Sequence, residues 1–293
     1  MRVVVFGLPL AALLLAEDGH DVALVASPRS DALGMRRARR VFGERFRVRP
    51  PLDAALHAKV RALAPELFVS WFWTTKLPMS LVSLAKQGGL GVHPSLLPRH
   101  RGPDPYFWAI ERGDRETGVT AHRLAAEYDT GAILGQRKLA IDPSWNAWTL
   151  AKKLDRPSLA LLRETVRAFA EGHPPRETPQ DESLATTAPE PDEELLALRF
   201  DRPTDAVLRR IRALAPSPGA SFELEGNVVV VTRADAATRW PKALVAGEAA
   251  VVDGKAVVRT GDAAIVLLEG EDEEGRRLAS GDLARLARGE PNG

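Results

Sequence analysis

The chain has 293 residues, 45% of them apolar, which is enough to bury more than one ordinary core, so two domains are expected. Forty basic residues stand against thirty-nine acidic ones, a balance that excludes wholesale attraction to nucleic acid or membrane and leaves any polyanion contact local. There is no cysteine, which excludes disulfides, thiol nucleophiles and thiolate metal sites and fits a cytoplasmic location.

Val3-Val4-Val5-Phe6 is a β-branched and aromatic run closed by Gly7. With a helix over residues 10–17 and a strand over 21–26 it predicts a βαβ opening. The same stretch is no signal peptide: Pro9 interrupts it, only Arg2 precedes it, and Glu17 and Asp18 follow without a small-residue cleavage site. It is also too short to span a bilayer. Residues 67–72 and 89–92 predict further buried strands, with a helix over 80–86 between them. A strand is expected over 117–124 and a long helix over 149–172, disturbed at Pro157.

The fold class predicted is therefore α/β, a doubly wound and mostly parallel sheet. Ligands of such sheets sit beyond the carboxyl ends of the strands. Between residues 172 and 194 the composition turns to Pro, Glu, Thr, Ser and Asp, with five prolines, and reads as a linker. A helix over 205–214, the turn Pro216-Ser217-Pro218-Gly219, and short strands near Phe222 and over 228–231, 256–258 and 265–268 then predict a small β-barrel. The expected organisation is a catalytic domain at 1–172, a linker at 173–194 and a C-terminal, OB-like barrel domain at 195–293.

Gly7-Leu8-Pro9 lacks the second and third glycines of a dinucleotide-binding loop and no Walker-type lysine loop is present, so nucleotide cofactors are not indicated. His20, His57, His122 and His173 lie far apart without metal-ligand spacing, which favours surface or structural roles and no metal. Eight arginines and only two acids, Asp31 and Glu44, fall between residues 29 and 49. Phosphate recognition and a solvated helix face both account for them, as they do for Arg209, Arg210 and Arg212. The six tryptophans are chiefly core candidates, with stacking on a ligand ring a minor alternative for Trp71 or Trp73.

The informative stretch is Gly91-Val92-His93-Pro94-Ser95-Leu96-Leu97-Pro98-Arg99-His100-Arg101-Gly102, followed by Glu127-Tyr128-Asp129-Thr130-Gly131. One Asp-Thr-Gly alone also suits an aspartic protease, but there is a single copy and its flanks lack the apolar strand. Taken together the two blocks resemble the folate-dependent formyltransferases. That family includes methionyl-tRNA formyltransferase, glycinamide ribonucleotide and sugar N-formyltransferases and the hydrolase domain of formyltetrahydrofolate dehydrogenase. Residues 212–220 and 222–226 resemble the barrel domain appended in the tRNA and some sugar enzymes.

The resemblance implies 10-formyltetrahydrofolate as co-substrate and an amine acceptor, either small or nucleotide-linked, with tRNA among the candidates. It makes His93 the acid that serves the developing oxyanion and Asp129 its partner, able to take the amine's proton through a water. It also implies a pterin pocket walled by Thr75, Lys76 and Leu77 on one side, by the loop 125–131 with Tyr128 on the other, and by Leu96 and Leu97.

Gly91 departs from the family pattern, which usually places an asparagine two residues before the histidine. Losing one oxyanion donor costs roughly a hundred- to a thousand-fold in rate, about 3 to 4 kcal/mol, unless a backbone N–H near Gly91 or a water replaces it. The dehydrogenase's hydrolase domain also lacks the asparagine and carries a similar Pro-Arg-His-Arg-Gly run. The alternatives are therefore a 10-formyltetrahydrofolate hydrolase and a catalytically silent folate or tRNA binder.

Overall fold

The apolar run at the amino end becomes β1 (Arg2–Gly7), with Val3 to Phe6 wholly buried. It leads into α1 (Pro9–Glu17), started by a proline at a position where the missing N–H costs nothing, and then β2 (Asp21–Ser27). The chain continues through α2 (Met35–Phe42), β3 (Phe46–Val48), α3 (Ala54–Leu63) and β4 (Leu67–Trp71). Next come α4 (Met79–Val82) and β5 (Gly89–His93), then α5 (Pro105–Glu111), β6 (Glu116–Arg123), β7 (Ile133–Ala140) and α6 (Ala147–Ala170). The computed structural model describes residues 1–290.

Seven of these strands form one sheet in the order β3-β2-β1-β4-β5-β6-β7. The first five run parallel; β6 and β7 are antiparallel additions. Strand order reverses between β1 and β4, so a ligand crevice is expected past Gly7, Trp71 and His93, where those strands end. This sheet belongs to the first of two units, made of Met1–Pro105, Glu116–Ala140 and Lys153–Ala188. Its core is apolar, with Phe6 stacked on Phe68 at 4.6 Å.

Two expected elements differ. The helix placed over 80–86 is the single turn of α4, because the N–H groups of Lys86 and Gln87 bond back to Pro65 and Glu66 instead of continuing the helix. The long helix is continuous through Pro157 rather than disturbed there. Trp71, buried beside it, donates its indole N–H to Ser158 Oγ at 2.8 Å. The arginine-rich segment forms α2, whose Met35, Ala38 and Phe42 face inward.

The second unit contains Tyr106–Arg115, Ile141–Lys152 and the chain from Pro189 onward. It adds α7 (Glu193–Leu196) and α8 (Thr204–Leu214), β8 (Ala220–Leu224) and β9 (Asn227–Ala236). It continues with β10 (Ala249–Val252), β11 (Lys255–Arg259), β12 (Ala264–Glu271), β13 (Arg277–Ala279) and α9 (Ser280–Leu286). The strands make an antiparallel sheet along β10-β11-β12-β9-β8, with β13 on β12. Its hairpin turns Glu225-Gly226 and Asp253-Gly254 have φ positive at both residues, the conformation that matches the twist of paired strands. The end strands β10 and β8 are not paired with each other, so the sheet is open where a complete barrel would close.

Candidate active site

His93 is the last residue of β5, and its ring lies where the sheet's parallel half ends. The side chain is 8% exposed. Its Nε2 is 2.7 Å from the backbone oxygen of His100. A carbonyl only accepts, so this nitrogen carries hydrogen. Its Nδ1 is 3.4 Å from Asp129 Oδ2, an ion-pair separation rather than a tight hydrogen bond. With acceptors at both ring nitrogens, the imidazolium is the form that offers each an N–H.

Asp129 reaches this place because its own backbone is left-handed, φ 58°, a conformation Asp tolerates better than most residues. Gly131 has to be glycine, since a Cβ there would lie 1.9 Å from the Arg123 carbonyl oxygen. The Asp129 carboxylate also accepts the Gly102 N–H on Oδ2 at 2.9 Å. Thus the turn after the histidine motif supplies two groups that the motif's side chains do not advertise, the His100 carbonyl and the Gly102 amide.

Gln180 ties the loop down. Its amide nitrogen donates to the carbonyls of Asp129 and Gly131, both at 2.7 Å, and its oxygen accepts from the Arg101 guanidinium. Arg101 in turn pairs with Glu182 at 2.8 Å, and the backbone at residue 101 bridges Thr187 in parallel.

The residue that sequence reasoning missed is His122. Placed among structural histidines by its spacing, it lies on β6 directly opposite Gly91 of β5. Its Nε2 is 3.6 Å from Asp129 Oδ1, the carboxylate oxygen not facing His93. Nδ1 donates to the Arg123 carbonyl at 2.8 Å. Burial pushes this imidazole below the ordinary histidine pKa, opposed by the Asp129 charge and assisted by His93 and Arg101. A Cβ on Gly91 would stand 3.3 Å from Nε2 and 3.2 Å from a Leu124 methyl, so the space left by the missing side chain borders an imidazole edge. What brings it here is the antiparallel pairing of two adjacent strands, which spacing along the chain does not display.

The expected pocket residues separate into groups. Lys76 is exposed, and its ammonium meets Glu127 at 3.2 Å, joining the segment 75–77 to the loop that carries Asp129. Leu77 packs on the core beneath β4, and Tyr128 is 54% exposed. Leu97 is only 3% exposed and donates its N–H to Thr120 Oγ1, while Leu96 packs on the bare backbone of Gly118. Thr75 lines a cavity of about 430 Å³ together with Trp73, Thr74, Leu52 and Arg49, a wall that includes neither His93 nor Asp129. Among the described residues no group of three or more His, Asp or Glu is arranged to hold a metal ion.

Residues 2–166 match the family model described as formyl transferase, and residues 192–288 match the formyl transferase C-terminal domain. The chain belongs to the formyl transferase family. It is 31% identical to a methionyl-tRNA formyltransferase of Pelotomaculum thermopropionicum over 300 residues, covering 97% of this chain and 95% of that protein. The methionyl-tRNA formyltransferase of Anaeromyxobacter dehalogenans is 38% identical over 240 residues, 79% of this chain and 75% of the relative.

Among solved structures, HypX from Aquifex aeolicus in complex with tetrahydrofolic acid superposes with a TM-score of 0.70 at 22% identity over 99% of this chain. The chain spans about half the length of HypX, 48%. The N-formyltransferase from Helicobacter canadensis, in complex with folinic acid and dTDP-3-aminofucose, gives 0.68 at 14% identity, covering 91% of this chain and 98% of that one. At these identities the structures show a shared fold.

Proposed function

We propose that this formyl transferase moves the formyl group of 10-formyltetrahydrofolate to an amine, with His93 as acid and Asp129 as its partner. The observation that carries the reading is the 3.4 Å approach of His93 Nδ1 to a carboxylate at the carboxyl end of β5. A formyl carbon attacked by an amine passes through a tetrahedral centre whose oxygen gains charge, and a buried N–H donor stabilises that charge far better than water does. The folate lies between the segment 75–77 and the loop 125–131, which the Lys76–Glu127 pair holds together. Leu96, Leu97 and Tyr128 complete the pterin's surroundings.

The relatives named for methionyl-tRNA and for amino-sugar nucleotides make both acceptor classes candidates. The exposed arginines of α2 suit a phosphate in either. The domain division at 172 and 195 follows from the same reading, with the open second sheet taken as a partly closed barrel of OB type. A chain without cysteine suits the cytoplasm.

Hydrolysis is the second reading, favoured by Gly91, which leaves no side-chain amide beside the histidine. Incubation with 10-formyltetrahydrofolate separates the two, with charged initiator tRNA, nucleotide amino sugars or no amine added. Release of tetrahydrofolate only with amine supports transfer, release without it supports hydrolysis, and saturable binding without turnover sinks both. His93→Ala is expected to lower kcat by at least about a hundred-fold. Unchanged turnover removes His93 from the mechanism.

A further inference from the structure

Asp129 faces two imidazoles, one on each carboxylate oxygen, and the acid role of His93 accounts for only one of them. The state of the second ring follows from its contacts. Because the Arg123 carbonyl can only accept, His122 carries its hydrogen on Nδ1, and the neutral ring therefore leaves Nε2 bare. That bare nitrogen and Asp129 Oδ1, 3.6 Å apart, are two acceptors with no hydrogen between them. Such a pair is completed by an N–H or O–H from outside. Nε2 also points at the side of β5 where Gly91 has no side chain, two residues from His93.

We propose that His122 is the general base of the formyl transfer, its Nε2 taking the proton that the attacking amine loses beside Asp129. The inference rests on the formyl-transfer reading above. The amine nitrogen bonds to the formyl carbon while the C=O electron pair moves onto oxygen, and the nitrogen's proton passes to His122 Nε2. The carbon–nitrogen bond to the folate then breaks as the C=O reforms, and the departing folate nitrogen takes the Nδ1 proton of the His93 imidazolium, the one held only loosely, at 3.4 Å, by Asp129. One formamide and one tetrahydrofolate result. The proton gained by His122 returns to His93 through Asp129, whose two oxygens face the two rings.

The missing side chain at position 91 and the histidine at 122 are in this view one exchange. A Cβ at 91 would stand 3.3 Å from Nε2, so a side chain there and the ring compete for the same space.

The groups facing His122 are the Asp129 carboxylate, the His93 ring, the Arg101 guanidinium and the Arg123 carbonyl. A base works when neutral, so kcat rises with pH through the His122 titration. Burial places that rise below the ordinary histidine value of about 6.5. The test is single-turnover formyl transfer from 10-formyltetrahydrofolate against pH, in wild type and His122→Gln, with tetrahydrofolate binding measured in parallel. The expected result is a fall of about a hundred-fold or more in the transfer rate, disappearance of the acid limb, and nearly unchanged folate affinity.

A variant that keeps both the rate and the acid limb overturns the base. Wild type that transfers to no amine instead overturns the formyl-transfer reading itself, so the two failures are distinct. Should His122→Gln not fold, nitrogen NMR of histidine-labelled wild type decides: a bare Nε2 and protonated Nδ1 on His122 at pH 7 support the base, and a protonated Nε2 overturns it.

Discussion

Gly91 and His122 meet across a strand pair, and their coupling is open to a direct test. Introducing the family's usual side chain with Gly91→Asn puts a Cβ 3.3 Å from His122 Nε2 and 3.2 Å from Leu124, contacts tighter than packed side chains normally keep. Gly91→Asn alone is therefore expected to lower the thermal midpoint and to reduce activity rather than improve it. Made in a His122→Ala background, where the ring is gone, the same change should cost at least about 0.5 kcal/mol less, the signature of residues in contact. Denaturation of wild type, the two single variants and the double variant measures this. Additive effects mean that the two positions do not share the space.

That pair also marks the limit of what residues in order reveal. His93 and Asp129 stand inside ordered blocks whose residue types already suggest acid and partner. His122 stands in a strand of unremarkable composition, and its place depends on β6 turning back antiparallel on β5, a register that only the folded sheet displays. The roles of His100 and Gly102 escape for another reason: they act through backbone oxygen and nitrogen, which every residue has.

At the scale of elements, the strands of the first sheet that are legible in the sequence are those buried on both faces. β1, β4 and β5 are continuous apolar runs because helices cover a parallel sheet on either side. β7 is not legible in the same way, since its Gln136-Arg137-Lys138 stretch is polar; it is an edge strand, where charge on the open side is normal. The polar composition of residues 173–194 is likewise silent on Gln180, although its amide spans the two carbonyls that flank the Asp129 turn.

Removing that amide leaves both carbonyls and the Arg101 guanidinium short of a partner. Gln180→Ala is thus expected to cost about 1–3 kcal/mol in stability. Because the loop that aims Asp129 loosens, kcat should fall about ten-fold or more while the pH profile keeps its shape. Urea denaturation and a kcat–pH series check this, and a variant of full activity would mean that the loop holds Asp129 unaided.

For the molecule as a whole, the half-buried His20 and the buried His122 set how stability responds to acid. His122 and His20 both titrate below the ordinary histidine value, burial being the first cause in each, and the amino-terminal charge adds to it for His20. A group whose folded pKa is depressed binds fewer protons folded than unfolded, so it favours the folded state above about pH 6.5 and its contribution is lost as pH falls through the folded value. The urea midpoint is accordingly expected to drop between pH 7.5 and 5, well before most carboxylates begin to protonate. His20→Gln and His122→Gln should each flatten that slope, because each removes a group that must be protonated on unfolding. The two sites lie on different strand connections, His20 before β2 and His122 within β6, so their effects on the slope should add. A slope unchanged in both variants would place the acid sensitivity elsewhere. Asp18 is not that alternative, because its pairing with Arg163 holds its carboxyl below the usual range and it protonates only beneath this window.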